Sequence, residues 1–159
     1  MTLARRLQGA AWKPALPLVA SGGWSLTGTS VRGRIRRGKL VDLDGWRGRV
    51  DLDGAGLALT DVATGRVVGR CRETRTRQQW PLTVGGQPFE AQARAGLHPL
   101  LVTDAHGAVA LSLDLSRLRR HLTLQLAPHL DDATTVPLVA LTSLMATRRL
   151  TGPQSHRAT

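Results

Sequence analysis

The sequence predicts a mainly β fold, a closed antiparallel barrel built from hairpins around a single hydrophobic C-terminal α-helix. Two observations predict it. Short segments that alternate apolar and polar residues, the period of a half-exposed strand, follow one another across residues 31–127, with Asp- and Gly-containing turns between them. The chain then continues into residues 136–146 (VPLVALTSLMA), which are apolar on nearly every side. A helix of that kind must be enclosed, so we expect the strands to wrap it.

Composition bounds the class of protein and its partners. A chain of 159 residues with 42% hydrophobic and 21% charged residues is typical of one globular domain. A formal net charge of +11 favours polyanionic partners, either an anionic membrane surface or nucleic acid. Lys13 and Lys39 are the only lysines, a skew typical of GC-rich coding. The charge therefore permits polyanion binding, because arginine binds phosphate through two parallel hydrogen bonds, without demonstrating it.

The cysteine content and the hydropathy pattern suggest a cellular location. Cys71 is the only cysteine, which excludes an intramolecular disulfide and a cysteine-based zinc site and is typical of a reducing interior. The apolar run at residues 15–20 is shorter than the roughly 7–15 residues of a signal-peptide core. No segment reaches the roughly 20 apolar residues of a transmembrane helix. We therefore predict a cytoplasmic protein, peripheral at the membrane where it meets lipid.

Local signals divide the chain into three parts. Residues 1–30 contain Pro14, Pro17 and the pair Gly22-Gly23, and we expect a partly ordered N-terminal arm. Residues 31–150 are expected to form the barrel with its central helix. Residues 151–159 are polar, and we expect a flexible tail.

The strands are predicted from turn chemistry and alternation. A first strand covers residues 31–36 (VRGRIR), and residues 40–50 continue as strand, turn and strand. The pentapeptide VDLDG occurs twice, at residues 41–45 and 50–54, and each copy ends in Asp-Gly, a strong hairpin signal.

Three more hairpins and a last strand precede the helix. The hairpins pair residues 57–60 with 66–72, 80–84 with 88–91, and 99–103 with 108–115, and the last strand covers residues 121–127. We predict that Val109, Leu111, Leu113 and Leu115 share one face of the last hairpin arm, opposite Ala108, Ala110, Ser112 and Asp114.

The start and the end of the helix carry their own signals. Asp131, Asp132, Thr134 and Thr135 are alternative N-caps, and Pro137 suits a first helical turn. Arg148 and Arg149 suit a helix C-terminus, where cations interact favourably with the helix dipole.

This order of elements resembles the tubby C-terminal-like superfamily, which includes the LURP-one-related proteins and the phospholipid scramblases. The resemblance is carried by Thr60-Asp61 with Gly65-Arg66-Val67, by residues 103–107 (TDAHG) and by residues 132–145, and it covers about residues 31–149. It implies a closed barrel of roughly twelve strands threaded by a hydrophobic C-terminal helix. It further implies contact with phosphoinositide or other anionic lipids in some members and no known activity in many bacterial ones.

Clustered arginines supply the candidate polyanion site. Four arginines between residues 70 and 77 flank the end of one predicted strand. Three arginines between residues 32 and 36 share one face of the strand at residues 31–36. If the two strands are neighbours, they form a stripe able to hold phosphates. The alternative is a solvated outer face. The candidate residues are Arg32, Arg34, Arg36, Arg70, Arg72, Arg75 and Arg77.

The remaining polar residues do not predict catalysis, a cofactor or a metal. Four aspartates in the repeated pentapeptide offer the oxygen ligands that Ca²⁺ prefers, but they lack the third acidic position and the distant Glu of a calcium loop. No nucleophile elbow or phosphate-binding glycine loop occurs. Cys71 falls on the inward side of its strand, and Trp80 is expected to pack. The four aspartates are Asp42, Asp44, Asp51 and Asp53.

From these observations we expect a non-catalytic binding or scaffold module of tubby-like or LURP-one-like type that contacts anionic phospholipid headgroups. The alternative is a small basic nucleic-acid-binding protein that uses its arginine-rich strand face. An enzyme with its site inside the barrel ranks last, because a barrel filled by its own helix leaves little cavity for a substrate. The sequence leaves the oligomeric state open.

Overall fold

The structure is a computed structural model that describes residues 1–14, 23–54, 56–72, 79–94, 97–116 and 120–151, of which residues 94, 97–99 and 149–151 are described by their backbone alone. These residues form two helices and twelve strands. In chain order the elements are α1 Leu3–Leu7, β1 Ala11–Pro14, β2 Trp24–Thr27, β3 Gly33–Arg36, β4 Leu40–Leu43, β5 Trp46–Asp53, β6 Gly56–Asp61, β7 Val67–Arg72, β8 Gln79–Val84, β9 Gln87–Arg94, β10 Leu97–Asp104, β11 Val109–Leu115, β12 Leu122–Leu126 and α2 Asp132–Thr151.

The strands form one closed antiparallel barrel. Each strand pairs with its neighbours in sequence, and β1 pairs with β12 to close the barrel. The closing register places Ala11 opposite Thr123 and Trp12 opposite Leu122. Closure leaves no strand edge unpaired. The predicted fold class, a closed antiparallel barrel with one C-terminal helix, is confirmed.

The N-terminal residues differ from the expected arm, because β1 and β2 are part of the barrel wall. Trp12 of β1 is fully buried, and α1 packs its apolar side, including Leu7, into the same core. Each of these strands has only four residues, too few for alternation to distinguish them from a loop. The barrel therefore begins at β1 rather than at residue 31. The expected tail, apart from Thr151, lies outside the described residues.

Helix α2 occupies the interior of the barrel. Its residues Leu138, Leu141 and Leu144 are each 0% exposed, and Val139 and Ala140 are equally buried. These residues point in all directions around the helix axis, so strands surround the helix on every side. The helix is longer than the apolar run that predicts it, because it begins at Asp132 and ends at Thr151.

Polar groups inside the barrel have hydrogen-bond partners. The Trp12 indole nitrogen donates to the Ser143 hydroxyl at 2.8 Å and so links the wall to α2. The Thr142 hydroxyl donates to the Leu138 carbonyl one turn back, at 2.7 Å. Pairing of this kind is required, because an unpaired polar group in the core costs about 1–3 kcal/mol.

The turns alternate between the two ends of the barrel because consecutive strands are antiparallel. We call the end where α2 begins the upper rim; it contains the β2–β3, β4–β5, β6–β7, β8–β9 and β10–β11 connections. The lower rim contains the β3–β4, β5–β6 and β11–β12 connections and the end of α2. Two contacts support this placement. Leu3 N–H donates to Asp132 Oδ1 at the upper rim (2.9 Å), and Arg148 Nη1 donates to the Gly38 carbonyl at the lower rim (3.4 Å).

One predicted face is corrected in β11. Leu111 and Leu113 are buried as expected, but Val109 is 50% exposed and Ala110 is buried in its place. The register shifts here, since Val102 faces Leu111 while Thr103 faces Val109. One extra residue on β11 forms a bulge, and a shift of one residue moves a side chain to the opposite face.

Asp131 is the N-cap of α2, which leads to a prediction about pH. Hydrogen bonds from Thr134, the hydroxyl first and the backbone N–H second, lower the pKa of Asp131 from its ordinary 3.8. A lowered pKa in the folded state contributes stability that is present above the unfolded value and is lost as pH falls through the folded value. Asp131→Asn keeps an oxygen acceptor for the helix but has no carboxylate to protonate. We therefore expect this variant to keep its N-cap contribution to stability below about pH 4, where the wild type loses it.

Urea titrations of the two proteins between about pH 6 and pH 3 measure this effect. The difference in their free energies of unfolding is expected to change in favour of the Asn variant as the pH falls. A difference that stays constant over this range would contradict the role given to the Asp131 carboxylate.

Candidate anion-binding surface

Strand β3 presents two of the predicted arginines on the outer face of the barrel. Arg34 and Arg36 are exposed and alternate with Ile35, which is fully buried. Arg32 is exposed just before the strand, where its carbonyl accepts a hydrogen bond from the Asp44 N–H at 2.8 Å. All three side chains are exposed, as expected for residues that share one face of a half-exposed strand.

Strand β7 presents a second pair. Arg70 and Arg72 are exposed, while Gly69 and Cys71 face inward, and Cys71 is buried as predicted. The last two predicted arginines, Arg75 and Arg77, lie outside the described residues.

The two groups of arginines do not form one stripe. Strands β4, β5 and β6 lie between β3 and β7 in the barrel. Four strand-to-strand steps of about 4.8 Å separate them by roughly 19 Å along the wall. A single stripe required the two strands to be neighbours, and β3 and β7 are not. In a barrel whose strands pair in sequence order, neighbouring strands are those joined by a hairpin.

The intervening strands carry the aspartates of the repeated pentapeptide, and each of the four is paired with arginine. Every pair is at least partly exposed to solvent, and such pairs contribute little to stability. Asp42 also raises the pKa of Arg47, first through their hydrogen bond and second through its charge. The pairs are Arg36–Asp42 at 3.4 Å, Arg47–Asp42 at 2.6 Å, Arg6–Asp44 at 3.5 Å, Arg49–Asp51 at 3.0 Å and Arg70–Asp53 at 2.7 Å.

The four aspartates considered as Ca²⁺ ligands are each paired with an arginine instead. Over the part of the chain that the structure describes, no three His, Cys, Asp or Glu side chains are grouped to hold a metal ion. The wall from β4 to β7 is thus close to electrically balanced. Any excess of positive charge must lie elsewhere on the barrel.

Part of the excess lies beside β3. The register places Lys13 opposite Ser25 and Ser25 opposite Arg34, so the three side chains form one outward row across β1, β2 and β3. Neither Lys13 nor Arg34 forms an ion pair with another described residue. The sequence prediction omitted Lys13 because it assigned β1 to the N-terminal arm.

The lower rim holds cations that the predicted set also omitted. Arg37 and Gly38 form the tip of the β3–β4 hairpin with φ values of 54° and 65°, and Lys39 N–H donates to the Arg36 carbonyl at 3.0 Å. The Arg37 and Lys39 side chains are exposed, and Arg148 of α2 contacts this tip from inside the barrel. The run Arg36-Arg37-Gly38-Lys39 was visible in the sequence as a basic turn.

A cleft of about 600 Å³ opens at the upper rim between β7 and the first turns of α2. Trp46, Arg66 and Val136 are among its lining residues, as are Asp61 and Asp132. Both carboxylates have structural partners: Asp61 Oδ1 accepts from the Ala63 N–H and Asp132 Oδ1 from the Leu3 N–H, each at 2.9 Å. The cleft is at the barrel mouth, whereas the prediction of little cavity concerned the barrel interior, which α2 occupies.

The chain was compared with known proteins, and no family model, curated protein or solved structure matches it. Among the described residues, no helix has both the length and the apolarity needed to cross a membrane.

Proposed function

We propose that this protein is a non-catalytic binding module of tubby-like type that contacts anionic phospholipid headgroups through cations on the outside of its barrel. The observation that carries the proposal is the filling of the interior. Leu138, Leu141 and Leu144 of α2 have no exposed surface. Among the described residues, the cations that form no ion pair are on the exterior, where an anionic ligand can reach them. The closed barrel around a C-terminal helix is also the fold that the tubby-like resemblance implies, and this agreement supports the proposal.

The distribution of these cations favours an extended anionic surface over a small ligand. Lys13 and Arg34 lie on the wall, while Arg32, Arg37 and Arg72 lie at its ends. The cleft at the upper rim is lined by none of these five cations. A membrane surface instead attracts each nearby cation separately, and each contributes about 1 kcal/mol. Arginine also suits headgroup phosphates because its planar donors bind two oxygens at once.

The aromatic residues favour lipid over nucleic acid as the polyanion. Trp12, Trp24, Trp80 and Phe89 are buried, and Trp46 is half-buried against the barrel wall. The chain contains no tyrosine. Proteins that bind single-stranded nucleic acid gain about 1–3 kcal/mol for each base stacked on an aromatic side chain. No fully exposed ring offers that contact here, so nucleic acid remains the alternative outcome of the test.

Vesicle flotation tests the proposal. The full chain is mixed with neutral phosphatidylcholine vesicles or with vesicles that also contain phosphatidylserine or a phosphoinositide. We expect the protein to float with the acidic vesicles at about 0.1 M salt and to be released near 1 M, where screening is far stronger. Equal and negligible binding to both kinds of vesicle would remove the lipid function. A gel shift of DNA or RNA under the same salt conditions, without vesicle binding, would favour the nucleic-acid alternative.

A further inference from the structure

Acidic residues concentrate at the upper rim of the barrel. There they accompany four arginines, so that the two signs of charge are mixed. Several of the carboxylates also have structural roles in turns, as Asp104 does by accepting from the His106 N–H at 2.9 Å. The upper-rim carboxylates are Asp44, Asp61, Asp104, Asp131 and Asp132, and the arginines are Arg5, Arg6, Arg32 and Arg66.

The lower rim has the opposite character. Among the described residues at its turns and strand ends, the carboxylates are Asp53, which is paired with Arg70 at 2.7 Å, and the exposed Asp114, one residue before the end of β11. None of the lower-rim cations named next forms an ion pair with a described residue. They are Arg37, Lys39, Arg72, Arg120 and Arg148.

Backbone strain marks two of these arginines. Three non-glycine residues in the described chain have positive φ: Arg37 at 54°, Arg120 at 52° and Asp44 at 51°. Aspartate is among the residues that tolerate this conformation, whereas arginine is not. Glycine or asparagine at both arginine positions would relieve the strain. Stability therefore does not explain these arginines, and strained positions of this kind are concentrated at functional sites.

The hairpin tip that carries Arg37 is held in place. Arg148 Nη1 donates to the Gly38 carbonyl at 3.4 Å, and Lys39 accepts through its carbonyl a hydrogen bond from the Val50 N–H at 2.8 Å. The tip is thus attached both to α2 and to β5. Side chains on a fixed tip lose less freedom when they bind, which favours their use in recognition.

We infer that the lower rim is the membrane-docking surface and that the barrel stands end-on against an anionic lipid surface, with Arg37, Lys39 and Arg120 at the headgroup phosphates. This inference rests on the proposed function and adds an orientation to it. The negative charge of the lipid surface attracts the basic lower rim more strongly than the upper rim, where carboxylates and arginines are mixed. With the tilt that barrel strands have to the barrel axis, an eight-residue strand such as β5 puts the two rims about 20 Å apart, more than the Debye length of about 8 Å in physiological salt.

Two triple variants with the same change in net charge test the orientation. The lower-rim variant carries Arg37→Gly, Lys39→Gln and Arg120→Gly, in which glycine accepts the positive φ values. The upper-rim control carries Arg5→Gln, Arg6→Gln and Arg66→Gln, none of which belongs to the candidate site. Partitioning onto phosphatidylserine vesicles is measured at physiological salt. We expect the lower-rim variant to bind about a hundredfold more weakly, at roughly fivefold for each cation, and the control to change by less than about threefold.

Thermal unfolding of the same proteins separates binding from folding. The two glycine substitutions relieve strain, so the lower-rim variant is expected to melt no lower than the wild type while it loses binding. Equal weakening by both triple variants, or unchanged binding by the lower-rim variant, would overturn the end-on orientation while the proposed lipid function stands. Failure of the wild-type protein to bind acidic vesicles would instead remove the proposed function itself.

Discussion

Leu141→Ala is expected to lower the free energy of unfolding by about 2–5 kcal/mol. Leu141 is at the middle of α2 and has no exposed surface. Its Cδ2 atom lies so close to β7 that a Cβ atom placed on Gly69 would be 3.3 Å away from it. Truncation removes the apolar burial of the side chain and leaves a cavity, because a helix inside a closed barrel has walls on every side that cannot collapse onto it.

Urea unfolding of this variant and of a matched control measures the effect. The control is Leu52→Ala on β5, where the leucine is 78% exposed, and we expect a change within about 0.5 kcal/mol. If Leu141→Ala costs no more than the control, the helix is not enclosed and the architecture is wrong.

Gly56→Ala is expected to cost about 3 kcal/mol or more, although it adds one methyl group near the end of a hairpin. A Cβ atom on Gly56 would overlap the backbone carbonyl oxygen of Cys71 and would lie 3.0 Å from the carbonyl carbon. Both atoms belong to the backbone of the paired strand β7, which cannot rotate away as a side chain can. The barrel would have to separate β6 from β7 at this point or distort their register.

Gly54→Ala, two residues earlier in the same hairpin, is the control. Gly54 has a φ of 59° and no atom within 4 Å of the added Cβ position, so its substitution carries only the cost of a left-handed alanine, about 1 kcal/mol. Thermal or urea unfolding of the two variants should rank Gly56→Ala as the more destabilised. An equal or smaller loss for Gly56→Ala would show that the β6–β7 contact is looser than the structure places it.

Several elements could be predicted because their cause is local. At the β4–β5 turn, Asp44 and Gly45 have φ values of 51° and 83°, the conformation that an Asp-Gly hairpin requires. Cys71 faces inward because alternation along one strand decides which face a side chain takes. The enclosure of α2 follows from an apolar run that leaves no polar face for solvent.

The candidate site was harder to predict because it depends on residues far apart in the chain. Arg34 and Arg36 were placed correctly on the outer face, but their distance from Arg70 depends on the order of four intervening strand pairs. The tip at Arg37 has a basic sequence, yet its approach to Arg148 joins residues separated by 110 positions. A pattern within one short segment of the sequence does not predict a contact between residues so far apart along the chain.

The sequence by itself determined the hairpins between residues 31 and 115, the inward and outward faces of most of their strands, and the need for a wrapped helix, since turn preference and apolar alternation act over a few neighbouring residues. Only the tertiary structure decided that β1 closes the barrel against β12, that the bulge in β11 turns Val109 outward, and that basic turns collect at the rim where α2 ends. Those features depend on closing the sheet into a ring, and ring closure sets every strand position at once.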